Sequence, residues 1–233
     1  MNYRLSRIAA ICGGKFSGCD SEVRSVVTDS RSLSCELGCR PMFVAMRGAN
    51  HDSHDFIADM QSRGVRAFLV ERGVEASSCT GECGFVQVDN AIEALQRLAA
   101  YHRAQFRGTV VGITGSNGKT VIKEWIAEEL PEGMKYYRSP KSYNSQLGVP
   151  LSVLMLEGDE ELAIFEAGIS KPGEMERLER IIRPDAVIFT SIGDAHQENF
   201  INLEQKCDEK MILARSASKI IYHSYYEPLG RMV

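Results

Sequence analysis

Residues 112 to 120 read GITGSNGKT, and no other stretch of the chain limits its fold so strongly. Thr109, Val110, Val111 and Ile113 form an apolar run that reads as a buried strand. Val121, Ile122, Trp125, Ile126 and Leu130 then recur at helical spacing, so a helix opens at Lys119 and Thr120. A glycine-rich turn between a strand and a helix aims backbone N–H groups and the positive end of the helix at one point, which suits an anion such as a phosphate. Gly115, Ser116, Asn117 and Gly118 would form the cradle. Lys119 would set a positive charge near the terminal phosphates, and the Thr120 hydroxyl could complete the shell of a magnesium ion.

The spacing departs from the general phosphate loop. That pattern has four residues between its two glycines, which would require glycine where Ile113 stands; here the glycines fall at 112 and 115. A generic kinase or GTPase is therefore disfavoured.

The pattern around the loop is that of an α/β protein. From Gly108 onward strand and helix alternate: Leu162 to Glu166, then a helix from Gly173 to Ile182, then Ala186 to Thr190, then a helix from Leu203 to about Ala217, with Ile220 to Tyr222 starting one more strand. Such alternation implies a mostly parallel sheet covered on both faces, with ligands at the carboxyl ends of its strands. Residues 1–105 read as a separate, smaller α/β domain. It has a short helix at Leu5 to Ile11, strands at Val23 to Thr28, Met42 to Met46, Ala67 to Val70 and Phe85 to Val88, and a helix at His54 to Arg63. A last helix, marked by Ile92, Leu95, Leu98, Ala99 and His102, leads into the phosphate-loop strand, with His102 expected as a core or boundary residue. Residues 106–233 would form the second domain.

At 233 residues, 44% hydrophobic and with a net charge of −4, the chain can bury a sizeable core and offers no general field for nucleic acid. No apolar run is long enough for a signal peptide core or a membrane span. A cytoplasmic protein is expected, without nucleic-acid partner or membrane span. Seven cysteines, at 12, 19, 35, 39, 79, 83 and 207, fit reduced thiols better than disulfides. The pairs Cys35/Cys39 and Cys79/Cys83 could close a zinc site only if the fold joined them, and ordinary thiols are the default.

Three residues past the loop stand where a bound nucleotide would need them. Glu166 ends the strand LAIFE, and His196 follows the strand AVIFTSIGDA at the same sheet edge. Lys210 lies within the apolar line Leu203, Cys207, Met211 and Ala214 of its helix, where a lysine either snorkels to water or is a partly buried amine of lowered pKa. Such an amine can combine with carbon dioxide to give an anionic, metal-binding carbamate.

TGSNGKT resembles the ATP-binding loop of the Mur ligases, the amide-forming enzymes of bacterial cell-wall synthesis, and of the related folylpolyglutamate synthases. Mur ligases carry a metal-binding glutamate at a strand end, a metal-binding histidine after the next strand, and a carbamylated lysine fourteen positions further on; Glu166, His196 and Lys210 match, since 210 minus 196 is 14. VVTDSRSL (26–33) and MFVAMRGANHDSHDFI (42–57) are similar to the N-terminal segments with which the family holds the uridine diphosphate of its substrate, here through Thr28, Asp29, Ser30 and Arg31. SYNSQLGVPLSVL (142–154) is similar to the segment whose asparagine contacts substrate, here Asn144, and together with EAGISKPGEM it points to the member that joins D-alanyl-D-alanine to UDP-N-acetylmuramoyl-tripeptide. CELGCRP (35–41) departs from the short Pro-Gly-Asp turn more usual in the family.

The resemblance implies use of ATP and magnesium, catalytic roles for Lys119, His196 and Lys210, metal ligation by Thr120, Glu166, His196 and carbamylated Lys210, a UDP-substrate domain over 1–105 and an ATP-binding domain over 106–233. It also implies that the second domain is truncated, that the family's C-terminal domain is absent, and that the fragment alone forms no amide bond. A folylpolyglutamate synthase, and a non-catalytic nucleotide- or UDP-sugar-binding module, are the rival readings.

Overall fold

The computed structural model describes residues 1–33, 40–48, 52–71, 82–193 and 197–224. The chain divides into two compact units, Met1–Tyr101 and His102–Val233.

In the first unit β1 (Tyr3–Arg4) pairs antiparallel with β3 (Glu22–Val23), and α1 (Leu5–Cys12) buries Leu5, Ile8, Ala9 and Cys12. The main sheet contains β2 (Lys15–Gly18), β4 (Ser25–Val27), β5 (Pro41–Val44), β6 (Ala67–Glu71) and β7 (Gly84–Val88) in the order β2-β7-β6-β5-β4. Its pairs are parallel except β2, which runs antiparallel to β7. Phe68 stacks on Phe85 with ring centroids 5.3 Å apart and meets Phe43 edge-on at 6.5 Å; Met60, from α2 (Ile57–Ser62), closes this core. The run Val23 to Thr28, expected as one strand, is two. Glu22–Val23 pairs with β1 and Ser25–Val27 with β5, while Arg24 between them gives its N–H to the Arg40 carbonyl at 3.0 Å. Apolar patterning marks extended chain but carries no record of a change of partner. Helix α3 (Ala91–Arg103) follows β7.

The second unit is a parallel sheet of β8 (Thr109–Thr114), β9 (Tyr136–Arg138), β10 (Leu162–Ala167), β11 (Ala186–Phe189) and β12 (Lys219–Ile221), ordered β12-β11-β8-β10-β9. Its helices are α4 (Lys119–Glu128), α5 (Gly148–Val153), α6 (Glu174–Ile182) and α7 (Leu203–Met211), the last followed by a 3-10 turn at Ile212–Ala214 and so shorter than the periodicity predicts. The chain leaves the central strand β8 toward β9 and β10 on one side and returns to β11 on the other. The carboxyl end of β8 is thus the switch point at which parallel sheets open a crevice for ligands. His102 contacts the Leu156 carbonyl at 2.9 Å through Nε2 and is pushed below its ordinary pKa by burial, in keeping with a boundary residue.

Helix α4 packs on the sheet with three of the five apolar residues that mark it. Ile122, Ile126 and Leu130 pack on Ile113 and Ile164, but Val121 and Trp125 are exposed, and Lys123 is buried. No helix among the described residues is long and apolar enough to cross a membrane.

Candidate functional site

The turn after β8 is fixed by contacts that leave room only for glycine at its start. Gly115 has φ +142, and a Cβ there would lie 1.9 Å from Thr190 Oγ1. The turn is tied to the segment after β11: Ser116 N–H donates to the Ser191 carbonyl at 2.6 Å, and Thr190 Oγ1 donates to the Asn117 carbonyl at 2.6 Å. Gly118, at φ +84, turns the chain into α4, whose first-turn N–H groups have no acceptor within the helix by its geometry. These groups head an open pocket of about 130 Å³ lined by Gly115, Ser116, Lys119, Asn144, Ser170 and Lys210 among others.

Glu166 lies at the floor of this region. The parallel register sets it opposite Ile113 and its neighbour Ala167 opposite Thr114, so the carboxylate emerges beside the turn with no solvent exposure. Its Oε2 accepts hydrogen bonds from Thr120 Oγ1 at 3.1 Å and Asn144 Nδ2 at 3.3 Å. Its Oε1 is paired with the Lys123 ammonium, whose Nζ lies 2.9 Å away and also donates to the carbonyls of Ser139 and Lys141. A buried carboxylate beside a loop hydroxyl is the hard oxygen donor set that a magnesium ion takes. Among the described residues no three His, Cys, Asp or Glu side chains converge to hold an ion by themselves, so a cation here would take a hydroxyl, one carboxylate and ligand oxygens.

Lysines form the other wall. Lys119 Nζ donates to the carbonyls of Gly115 (2.9 Å) and Ser116 (3.4 Å), and burial lowers its pKa, partly offset by Glu166. Lys210 is only 2% exposed and its Nζ donates to the Gly115 carbonyl at 3.2 Å. Desolvation, with smaller repulsion from Lys119 and Lys206, brings the Lys210 pKa down to about 7. Snorkelling, the ordinary outcome for such a lysine, is therefore not what the fold adopts. Lys206 is buried too, donates to the Gly193 carbonyl, and lies 5.9 Å from the centre of the Phe200 ring. Helix α7 is held in this rotation by Glu209, whose Oε1 accepts the N–H groups of Gly173 (2.7 Å) and Met175 (3.1 Å) at the start of α6. Its buried face is largely charged, and Leu203, expected on that line, is 39% exposed.

The structure thus brings Gly115, Ser116, Asn117, Gly118, Lys119, Thr120, Asn144, Glu166 and Lys210 to one edge of the second unit. His196 lies outside the described residues, as do Cys35, Cys39 and Cys79. Thr28 to Arg31 belong to the first unit, where the Asp29 carboxylate accepts from the Arg31 backbone N–H (2.9 Å) and from its Nε and Nη2. Those bonds hold the exposed Asp29 at a pKa of about 2. Lys123 and Lys206 are additions that periodicity did not single out. Lys123 could have been found from phase, since it follows Thr120 by three positions and Lys119 by four and so shares their helix face.

Residues 113–223 match the family model of the Mur ligase middle domain. The UDP-N-acetylmuramoyl-tripeptide–D-alanyl-D-alanine ligase of Borreliella burgdorferi is 34% identical over 206 residues, covering 84% of this chain and 44% of that protein. The enzyme of the same name from Bacillus subtilis is 31% identical over 189 residues, covering 81% of this chain and 40% of its own length. Among solved structures, MurF from Acinetobacter baumannii superposes with a TM-score of 0.84 at 25% identity over 99% of this chain and 51% of that one. MurF ligase from Thermotoga maritima, solved in complex with ADP, gives 0.77 at 29% identity over 90% and 48%. The chain therefore spans between two fifths and about half of the length of these relatives.

The lowered Lys210 pKa has a sign that can be measured. Below about pH 7 the ammonium is charged in the folded and the unfolded chain alike, and the folded state bears the cost of burying it. From there up to the ordinary ammonium value of about 10.4 the unfolded chain holds more protons, so stability rises with pH. In carbon-dioxide-free buffer, denaturation of the wild type and Lys210→Met between pH 7 and 9 should show the wild type gaining on the variant by up to about 1.4 kcal/mol per pH unit. Parallel stability curves would contradict this assignment.

Proposed function

We propose that this chain, which belongs to the Mur ligase family, is the nucleotide-holding and UDP-substrate-holding portion of an ATP-dependent amide ligase of peptidoglycan-precursor synthesis, the one that adds D-alanyl-D-alanine to UDP-N-acetylmuramoyl-tripeptide. The observation that carries this reading is the buried Glu166 carboxylate beside the hydroxyl of the loop residue Thr120, under a turn ringed by lysines. The relatives' names supply the substrates, and the ADP complex of a related ligase supports the use of an adenine nucleotide.

In the reaction so assigned, an oxygen of the tripeptide's terminal carboxylate attacks the γ-phosphorus of ATP, and the bond from that phosphorus to the β-phosphate oxygen breaks to release ADP. The amine of D-alanyl-D-alanine then attacks the acyl carbon; inorganic phosphate leaves, and the nitrogen gives up a proton. Charge control is most of the protein's task. The turn's N–H groups would hold the β-phosphate, and Lys119, released from the Gly115 and Ser116 carbonyls, would follow the γ-phosphoryl group. Thr120 and Glu166 would hold one magnesium ion, in keeping with the 3.1 Å between Thr120 Oγ1 and Glu166 Oε2. Bound there, magnesium would supply positive charge against the charge that develops on the transferred phosphoryl group.

Lys210 would help to hold a second ion together with His196. At a pKa near 7 a substantial share of its amine is neutral at physiological pH, and a neutral amine adds carbon dioxide to form an N–C bond and releases one proton, leaving a carbamate. In the first unit, Thr28, Asp29, Ser30 and Arg31 would contact the uridine diphosphate, with Asn144 in the second unit meeting the substrate. A nucleotide-linked substrate and ATP are consistent with a cytoplasmic protein.

Three results test the reading. Lys119→Ala should weaken Mg-ATP binding by about tenfold or more without loss of fold, as titration calorimetry would show; equal affinities would remove the turn from the site. UDP-N-acetylmuramoyl-tripeptide should raise the melting temperature while folates leave it unchanged, and the reverse would favour a folylpolyglutamate synthase. With 13C-labelled bicarbonate, the wild type should show one carbamate resonance by NMR that is lost in Lys210→Arg; its persistence would exclude Lys210 as the carbamylated residue.

A further inference from the structure

Lys123 is a charge that the phosphate site, as just described, does not use. It has no solvent exposure, on the helix that opens at the phosphate turn, and its ammonium is 2.9 Å from Glu166 Oε1, itself unexposed. The same ammonium donates to the Ser139 carbonyl at 2.7 Å and to that of Lys141, and so also anchors the loop that leads to Asn144. The other carboxylate facing it, Glu124, lies 3.3 Å away and shares its charge with Arg138, whose Nε is 2.8 Å from Glu124 Oε2. Two buried opposite charges in contact are held there because neither tolerates isolation.

We propose that Lys123 is a positioning residue of the metal site: its ammonium balances the Glu166 carboxylate and thereby makes divalent-cation binding depend on nucleotide phosphates that arrive with the metal. This rests on the reading of Glu166 as a metal ligand. A divalent ion at Glu166 stands a few ångströms from the Lys123 ammonium, and with both side chains out of solvent the repulsion is worth more than about a factor of ten in affinity. Phosphate oxygens at the turn offset that repulsion. Free metal alone does not, so the site stays closed to magnesium until a nucleotide brings it. A lysine with a purely structural duty gives the opposite expectation, since its removal loosens the Asn144 loop and weakens every ligand.

The test measures manganese binding by electron paramagnetic resonance, with and without a non-hydrolysable ATP analogue. Wild type should bind free manganese weakly and bind it at least about tenfold more tightly with the analogue. Lys123→Met and Lys123→Gln, the second of which retains a donor for the Ser139 and Lys141 carbonyls, should bind free manganese at least about tenfold more tightly than wild type, and Lys123→Arg should match wild type. Folded neutral variants that bind free manganese no more tightly than wild type would overturn the inference. So would wild type that binds manganese equally well with and without nucleotide, a result that needs no variant. Glu166→Gln separates the two levels: if it keeps full nucleotide-dependent manganese binding, the metal-ligand reading falls, whereas its loss alongside unchanged affinities in the Lys123 series defeats only the role of Lys123.

Discussion

A carboxylate without solvent exposure at the end of a parallel strand has to be met by donors and cations, and Glu166 organises the second unit around that demand. Its hydroxyl donor, Thr120, and its cation, Lys123, come from one helix, three positions apart. Its amide donor, Asn144, comes from the loop that Lys123 also holds. The rotation of α4, the course of the segment from Ser139 to Asn144 and the register of β10 against β8 are therefore fixed together. A side-chain network in which each member satisfies several others specifies one geometry more sharply than apolar packing alone.

The opposite sign is arranged with comparable economy. Lys119 and Lys210 both donate to the Gly115 carbonyl, and Lys206 donates to the carbonyl of Gly193, whose N–H in turn donates to Ser116 Oγ at 3.0 Å. Helix α7 would ordinarily turn so charged a face to water. Glu209, by capping the start of α6, holds it inward. Burial and mutual repulsion then bring Lys210 to a pKa near 7, where a lysine becomes a usable nucleophile.

Much of this was legible in the sequence, for reasons that also explain the gaps. The apolar runs at Thr109 to Thr114, Leu162 to Ala167 and Ala186 to Phe189 are strands buried in a parallel sheet, which carry a strong and unambiguous pattern. Short or half-exposed elements carry little: β2, β9 and α5 were not anticipated, and β9 is a three-residue edge strand. In α4 the apolar residues mark the inward face only in part: Ile122 and Ile126 pack on the sheet, but Val121 and Trp125 are exposed while Lys123 and Ala127 are buried. The phase of that helix meets two demands at once, Ile122 and Ile126 on the sheet and Thr120 and Lys123 on Glu166. Lys210 was recognisable from its place on a line with Cys207, but its companion Lys206, one turn earlier, was not, because a lysine on a helix is ordinarily solvated.

The account turns on a nucleotide bound at the turn between β8 and α4 with its metal on Glu166. A crystal structure of the chain grown with manganese and a non-hydrolysable ATP analogue, with the metal located from its anomalous scattering, tests this most directly. The account predicts the β-phosphate within hydrogen-bond distance of the N–H groups of residues 117–120, and a manganese peak between Thr120 Oγ1 and the Glu166 carboxylate. Nucleotide bound elsewhere, or manganese with no contact to Glu166, would contradict it.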